Sequence, residues 1–263
     1  FDIRDIYLIS FTIGPGLLGP LLTGASFSKS LAYSLNIEAL EVDHLEAHIM
    51  SPMMVDCTIK PPFLSLLVSG GHTFLSIINK DQEHKLIGKS LDDAAGEVFD
   101  KVARTLGLGY PGGPEISKAA SLTNKSSFKF PRPMMKSEDY NFSFSGLKTS
   151  VINTVKNRDL SNELISDIAY DFENSIIDVL ITKTIKAAKN YQIKNIVVSG
   201  GVSANKKLRA RFQEEGTNNN IFFPDLEFST DNGAMIAFLG YLKSKKDSAS
   251  NLEINPYTIS DFL

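Results

Sequence analysis

The chain has 263 residues, 43% of them hydrophobic and 22% charged, with a formal net charge of −3. This composition is typical of a globular protein of one large or two modest domains, and it excludes a general electrostatic attraction to nucleic acid or anionic membranes. The single cysteine, Cys57, excludes an internal disulfide and fits a reducing compartment.

The first predicted elements are a buried strand over residues 6–13, a helix over about 18–36 and a short strand over 38–42. Residues 6–28 carry no charge and are long enough to span a bilayer. Pro15 and Pro20, with the glycines beside them, instead favour a strand, a tight loop and a helix start. We therefore expect no membrane segment here.

The rest of the chain alternates between strand and helix patterns, which predicts an α/β fold. The predicted elements are two apolar strands around a Ser-Gly-Gly turn (61–79), a helix (92–109), a loop (110–114), an irregular stretch (121–145), a helix near Leu147, a helix (163–189), a strand with a Gly-Gly turn and helix start (193–205), and a loop leading into a last helix (229–244).

An internal echo links "LLVSGGH" (66–72) with "IVVSGGV" (196–202). Each is an apolar strand that ends in Ser-Gly-Gly, and glycine lets backbone N–H groups approach a ligand closely. Two such turns suit the two ends of a nucleotide-like molecule, although chance similarity of two buried strand ends is the alternative. Neither turn matches a known phosphate-loop pattern, so the motifs alone leave the ligand open.

Two histidines, His44 and His48, lie four residues apart in "HLEAH", on a helix that Asp43 can cap. Their imidazoles can reach one cation, and two partly exposed histidines that bind nothing are the alternative. A metalloprotease needs its glutamate next to the first histidine, whereas Glu46 is rotated about 200° from His44. The geometry therefore excludes the protease motif but leaves a metal site open. Asp231 is the best remote third ligand, with a plain helix N-cap as its alternative role.

Six motifs in order resemble those of the tRNA threonylcarbamoyladenosine synthase catalytic subunit family, of bacterial or mitochondrial type. They are "HLEAH", "LLVSGGHT", "LDDAAGEVFDKVARTLGLGYPGGP", "FSFSGLKT", "VVSGGVSANKKLR" and "TDNGAMIA". The resemblance implies an α/β fold of the actin-like, sugar-kinase-like ATPase type, with two duplicated lobes and the ligand between them. We expect an incomplete first lobe over 1–60, a second lobe over 61–228 with a helical insertion at about 90–165, and a C-terminal helix region over 229–263 that packs back toward the first lobe.

The resemblance also implies the ligands. One divalent metal ion, Fe²⁺ with Zn²⁺ or Mg²⁺ as alternatives, is expected on His44, His48 and Asp231. Threonylcarbamoyl-adenylate is the expected donor, with His72 as the candidate catalytic residue. The expected donor-binding residues are Leu67, Val68, Ser69, Gly70 and Gly71 along the acyl-phosphate portion, and Asp100, Gly113 and Asn205 at the ribose and adenine end. Without the resemblance, Asp100 reads as a solvated helix residue and Asn205 as an ordinary first-turn residue.

The implied reaction is transfer of the threonylcarbamoyl group to the exocyclic amine of the adenosine beside the anticodon, in tRNAs that read ANN codons. AMP leaves, the metal polarises and orients the donor, and glycine-turn N–H groups stabilise developing charge. The residues leave the general base open between His72 and a metal-bound hydroxide. The alternative functions are a metal-dependent hydrolase, either a peptidase or an ATPase of this fold, and a non-catalytic nucleotide-binding subunit.

The sequence departs from the family pattern in three places. The family normally opens with a strand and a phosphate-type loop that the printed sequence does not include, so we expect an incomplete first lobe, which leaves open whether the chain turns over. Ser117 stands where many relatives carry a ligand-holding aspartate, so it is not included in the expected site. Ser229 stands where a cysteine is common, and we expect no effect from that change.

The expected partners are tRNA and either a paralogous subunit with an ATPase subunit, as in bacteria, or a second copy of the chain, as in mitochondria. The expected compartment is accordingly the cytoplasm, with the mitochondrial matrix as alternative. Residues 125–148 interleave lysines and arginines with aromatic residues, a pattern that can bind RNA. The favoured alternative is a surface loop whose aromatic side chains anchor it to the core.

Overall fold

The structure is a computed structural model that describes residues 2–81, 83–245 and 254–258. The chain divides into two compact units, the first formed by Phe1–Thr58 with Pro224–Leu263 and the second by Ile59–Phe223. No helix among the described residues is both long and apolar enough to cross a bilayer.

The described residues form the following strands and helices in chain order: β1 (Leu8–Gly14), α1 (Leu18–Leu35), β2 (Glu38–Asp43), α2 (His44–Met50), α3 (Pro52–Val55), β3 (Phe63–Val68), β4 (Thr73–Ile78), β5 (His84–Lys89), α4 (Ala95–Thr105), α5 (Gly112–Ala120), α6 (Ser145–Val155), α7 (Asn162–Asn190), β6 (Asn195–Ser199), α8 (Lys206–Glu215), β7 (Asn220–Phe222) and α9 (Gly233–Ser244).

The first unit is built on two parallel strands, β1 and β2, which α1 connects. Their register runs from Leu8 opposite Glu38 to Gly14 opposite Asp43. A small core forms where Phe11 and Ile13 of β1 pack with Ala25 of α1. α2 follows β2 without a gap, so the strand register fixes the place where α2 begins.

The second unit is built on a five-stranded sheet with the order β5-β4-β3-β6-β7. β3 pairs antiparallel with β4 and parallel with β6. All six residues of β3 are buried, as expected for a central strand covered on both faces. The second unit therefore carries the larger core, to which α4–α7 contribute.

Most predicted elements are present, but the loop predicted over 110–114 is wrong, because α5 begins at Gly112. The backbone N–H of Gly112 donates to Asp100 Oδ1 at 2.7 Å, which satisfies one of the free amides at a helix start. A Cβ on Gly112 would lie 2.6 Å from the Cα of Asp100. Glycine is thus required for the close packing of α5 on α4, and Pro114 is tolerated within the first turn.

Two edge strands were not predicted. β5 has the sequence HKLIGK and β7 has only three residues, so neither carries the apolar run that marks a buried strand. Both gain their pairing from the sheet rather than from their own composition.

Candidate functional site

The first cluster of functional side chains lies on α2. Asp43, the last residue of β2, caps α2 by accepting from the N–H groups of Leu45 at 2.8 Å and Glu46 at 2.9 Å. The cap was predicted, and it fixes the first turn of the helix. His44 and His48 then lie on one face of α2 with ring centroids 4.7 Å apart and ring planes at 82°.

Asp231 joins these histidines from the segment before α9. Its Oδ1 lies 3.2 Å from Nε2 of His44 and 3.0 Å from Nε2 of His48. Asp231 is not the N-cap of α9, because Asn232 takes that role by accepting from the N–H of Met235 at 2.9 Å. The Asp231 carboxylate is thus left to face the two imidazoles.

The three ligand atoms lie within 4.8 Å of one another, and all belong to the first unit. Metal–nitrogen and metal–oxygen bonds of about 2.1 Å at right angles place neighbouring ligand atoms about 3 Å apart, which matches the separations from Asp231 Oδ1. Two imidazoles and one carboxylate are also a donor set typical of divalent iron or zinc. The residues present therefore fit a metal ion.

The electrostatics of this cluster favour an ionised carboxylate. Hydrogen bonds from His44, and then from His48, hold the pKa of Asp231 far below its usual range. Asp231 is 79% exposed, whereas His48 is 2% exposed. Nδ1 of His48 is buried without a hydrogen-bond partner among the residues that the structure describes. The site thus presents an anionic oxygen beside a histidine fixed by burial.

Glu46 does not join the histidine pair. Its Oε2 lies 2.5 Å from Nζ of Lys243 in α9. This ion pair agrees with the prediction that Glu46 points away from an ion held by His44 and His48, so the glutamate of a metalloprotease is not supplied here.

The two Ser-Gly-Gly turns form a second cluster, within the second unit. β3 and β6 are neighbouring parallel strands with Leu67 opposite Ser199, so both turns follow the same end of the sheet. Gly200 has φ +86°, and a Cβ on it would lie 2.5 Å from the carbonyl oxygen of Val68. The repeated Ser-Gly-Gly motif therefore corresponds to two turns that lie side by side.

The residues predicted along the first turn differ in what they can offer a ligand. The side chains of Leu67 and Val68 are fully buried, so only their backbone remains for a ligand. Ser69 Oγ accepts from the N–H of His72 at 3.0 Å, which closes the turn. Gly70 and Gly71 are exposed, and a Cβ on either would meet no atom within 4 Å. The open side of the turn is thus its glycine pair.

Gly96 of α4 packs against this turn, a role that was not predicted for it. Its N–H donates to the carbonyl of Ser69 at 3.2 Å, and a Cβ on it would lie 2.5 Å from that oxygen. The only sequence signal was a glycine inside a helical pattern, which by itself has several meanings.

Asp100 and Gly113 lie where α4 meets α5. Asp100 is half-buried and accepts from Gly112, so the alternative of a merely solvated residue is wrong. One carboxylate oxygen is thereby committed to the start of α5. Gly113 faces open space.

Asn205 belongs to a polar cluster with Ser117 and Glu173. Asn205 Oδ1 caps α8 by accepting from Leu208 at 2.8 Å, so it is more than an ordinary first-turn residue. Its Nδ2 donates to Ser117 Oγ at 2.9 Å and to Glu173 Oε1 at 2.7 Å, and Ser117 Oγ donates to the same Oε1 at 2.6 Å. Glu173 is 2% exposed, and its Oε2 lies 3.7 Å from Nζ of Lys207.

Glu173 was therefore missed as a member of the candidate site. The signal that could have found it is a glutamate on the apolar face of a long helix, since a buried carboxylate requires partners. Ser117, left out of the expected site, lies in direct contact with the predicted Asn205.

The basic and aromatic stretch over 125–148 folds as the favoured alternative predicted. Phe130, Phe142 and Phe144 are in the core, and Phe128 and Tyr140 pack against it. These rings are therefore not a stacking surface for RNA bases.

The chain is similar in sequence to a known protein family over most of its length. The model of the family described as tRNA N6-adenosine threonylcarbamoyltransferase matches residues 1–238. A relative of that name in Thermosipho africanus is 49% identical over 259 residues, covering 97% of this chain and 78% of the relative. One in Buchnera aphidicola is 50% identical over 261 residues, with the same coverage.

Two solved structures are similar in fold. The crystal structure of T. kodakarensis HypF has a TM-score of 0.68 at 17% identity, covering 92% of this chain and 41% of that chain. The Acidaminococcus fermentans (R)-2-hydroxyglutaryl-CoA dehydratase component A has a TM-score of 0.52 at 18% identity, covering 89% and 88%. With the family match, these likenesses confirm the predicted α/β fold of the actin-like, sugar-kinase-like type.

Proposed function

This chain belongs to the tRNA N6-adenosine threonylcarbamoyltransferase family, and from that premise we propose that it transfers threonylcarbamoyl from threonylcarbamoyl-adenylate to tRNA. The acceptor is the exocyclic amine of the adenosine beside the anticodon, in tRNAs that read ANN codons. The observation that carries this function is the family match over residues 1–238, together with relatives about 50% identical over 97% of the chain.

We further propose that His44, His48 and Asp231 hold one divalent metal ion. The spacing of their ligand atoms and the mixed nitrogen and oxygen donor set support this assignment. Imidazole donors favour Fe²⁺ or Zn²⁺ over Mg²⁺, which prefers oxygen ligands, and Fe²⁺ is the ion that we propose. When bound, the ion supplies Lewis-acid polarisation and orientation of an oxygen ligand.

The donor-binding residues proposed in the second unit form two groups, one for each end of the donor. The exposed backbone of Gly70 and Gly71, with the neighbouring turn at Gly201, supplies N–H donors and close approach for the acyl-phosphate portion. Asp100, Gly113 and Asn205 serve the ribose and adenine end. Because Asn205 Nδ2 already donates to Glu173 and Ser117, its remaining capacity for a ligand is the free lone pair of Oδ1.

The transfer of the threonylcarbamoyl group requires no oxidant or reductant. The adenosine N6 attacks the carbamoyl carbon, the bond from that carbon to the phosphate oxygen breaks, AMP leaves and the amine loses a proton. Backbone N–H groups of the glycine turns stabilise the negative charge that develops on the carbamoyl oxygen. His72, half-buried at the end of the first turn, is the proposed proton acceptor.

For protein partners we propose a paralogous subunit with an ATPase subunit, as in the bacterial type, in the cytoplasm. A homodimer in the mitochondrial matrix is the alternative. The exposed apolar side chains of α1, among them Leu18, Leu22 and Phe27, support the first unit as the docking surface.

The function is tested by incubating the protein with threonylcarbamoyl-adenylate labelled in threonine and with tRNA that carries adenosine beside the anticodon. A tRNA with guanosine at that position is the substrate control. We expect label on the first tRNA only, and we expect His44→Ala and Asp231→Ala to lose metal content and transfer together. Glu46→Gln is the matched protein control on the same helix, because Glu46 pairs with Lys243 rather than with the histidines.

Two outcomes would contradict these proposals separately. Undiminished metal content and transfer in both His44→Ala and Asp231→Ala would refute the metal assignment but not the reaction. Release of peptide fragments or phosphate that tracks His44 and Asp231, with no label on tRNA, would refute the transferase function.

A further inference from the structure

The segment 254–258 returns to the first unit and contacts the end of its strand pair. The N–H of Tyr257 donates to the carbonyl of Ile13 in β1 at 3.3 Å. The phenol of Tyr257 donates to Oδ2 of Asp43 at 2.6 Å. Residues far apart in the chain thus meet where β1 and β2 end.

Gly14 makes room for this contact. Gly14 is the residue opposite Asp43 in the strand register, and a Cβ on it would overlap the ring of Tyr257. The absence of a side chain at Gly14 therefore lets the aromatic ring approach the strand end, where its hydroxyl reaches Asp43. The position of the ring is set by β1 rather than by α2.

Asp43 uses both of its carboxylate oxygens in this arrangement. Oδ1 caps α2 by accepting from Leu45 and Glu46, while Oδ2 accepts from Tyr257. A carboxylate held at both oxygens has a fixed rotamer, and the first turn of α2 is fixed with it. His44 is the first residue of that turn and His48 follows one turn later.

We propose that Tyr257 is a positioning residue for the metal site, acting through Asp43 on the orientation of His44 and His48. The inference rests on the proposed metal assignment and extends it to a residue outside the three proposed ligands. Partners beyond the ligands commonly change metal affinity by about 10-fold to 100-fold when they are removed. Tyr257 acts on the histidines only through Asp43, so we expect its removal to lower metal affinity about 10-fold, the smaller end of this range.

The test uses Zn²⁺ and Co²⁺ as probes and needs no enzymatic turnover. Zn²⁺ affinity is measured by competition with a chelator, and the visible absorption of bound Co²⁺ reports the geometry of its ligands. Tyr257→Phe removes only the hydroxyl, and Gly14→Ala displaces the ring because the new Cβ would overlap it. We expect each variant to weaken Zn²⁺ binding about 10-fold and to change the Co²⁺ spectrum.

Two control variants separate positioning from general loss of stability. Tyr33→Phe makes the same chemical change on an exposed residue of α1. Glu41→Gln weakens the pair between Glu41 of β2 and the buried Lys29 of α1, and so destabilises the same unit through a contact other than that of Tyr257 with Asp43. Both controls should bind Zn²⁺ and Co²⁺ as the wild type does.

The proposal is overturned if Tyr257→Phe binds Zn²⁺ with wild-type affinity and gives the wild-type Co²⁺ spectrum, or if Glu41→Gln weakens Zn²⁺ binding as much as Tyr257→Phe does. Tyr257→Phe decides alone if Gly14→Ala does not fold. Wild-type protein that binds neither ion would overturn the metal assignment itself, and this inference with it, while leaving the transfer of threonylcarbamoyl to be judged by the tRNA assay.

Discussion

Ser117→Asp is expected to destabilise the second unit, although the resemblance places aspartate at this position in many relatives. The hydroxyl of Ser117 donates to Oε1 of Glu173 at 2.6 Å, and Glu173 is buried. An aspartate at 117 would replace this donor with a second carboxylate facing the first. Serine at 117 is thus matched to glutamate at 173.

The magnitude follows from the contact distance. A carboxylate built on residue 117 would lie about 4 Å from that of Glu173, and two like charges at that separation repel by about 4 kcal/mol at an effective dielectric constant of about 20. Lys207, whose Nζ lies 3.7 Å from Glu173 Oε2, offsets part of this repulsion. We therefore expect Ser117→Asp to be about 2–4 kcal/mol less stable than Ser117→Asn, which has the same shape without the charge.

Urea unfolding at neutral pH measures this difference between the two variants. The same pair is then compared in a Glu173→Gln background, where the charge at 173 is absent and the difference should fall to under about 1 kcal/mol. Equal stability of Ser117→Asp and Ser117→Asn in the Glu173 background would refute the reasoning. So would an aspartate variant more stable than the wild type.

Three further predictions concern the second unit. Gly200→Ala should lower the free energy of unfolding in urea by about 2 kcal/mol or more, because φ is +86° and the new Cβ would meet Val68. Gly201→Ala, whose Cβ would lie in open space, should lower it by under about 1 kcal/mol. Equal losses in the two variants would contradict this prediction. Burial lowers the pKa of Lys183, so the unfolded chain binds that proton more tightly. Wild-type stability should therefore rise relative to that of Lys183→Met as the pH increases toward the ordinary lysine pKa of 10.5. A stability difference that stays constant as the pH approaches that ordinary value would show that the shift is absent. Asp171→Ala removes the acceptor for donors at residues 126–128, and trypsin should cut that loop sooner than in the wild type; an unchanged rate would show that other contacts hold it.

The sequence allowed correct prediction of the elements that carry strong periodicity. The strand before Gly14, the long helix ending near Lys189 and both Ser-Gly-Gly turns agree with the structure, because apolar patterns and glycine positions report local conformation directly. The loop at 110–114 was wrong because the start of α5 depends on Asp100, a contact with another helix that no local pattern contains.

The candidate site was predictable to different degrees for similar reasons. His44 and His48 share a helix, so their spacing alone brought them together. Asp231 and Asn232 are both good N-caps, and only the structure shows that Asn232 takes the cap and leaves Asp231 to the histidines. Glu173 was missed because its partners come from α5 and the start of α8, neither of which is near it in sequence.

The pairing of β3 with β6 has a consequence for folding during synthesis on the ribosome. Leu64 meets Ile196, so the first glycine turn is synthesised long before the strand that will hold its neighbour. Such long-range pairing forms slowly, because a large loop must close first. Until β6 has been synthesised, the chain therefore holds only one of the two glycine turns proposed to bind the donor.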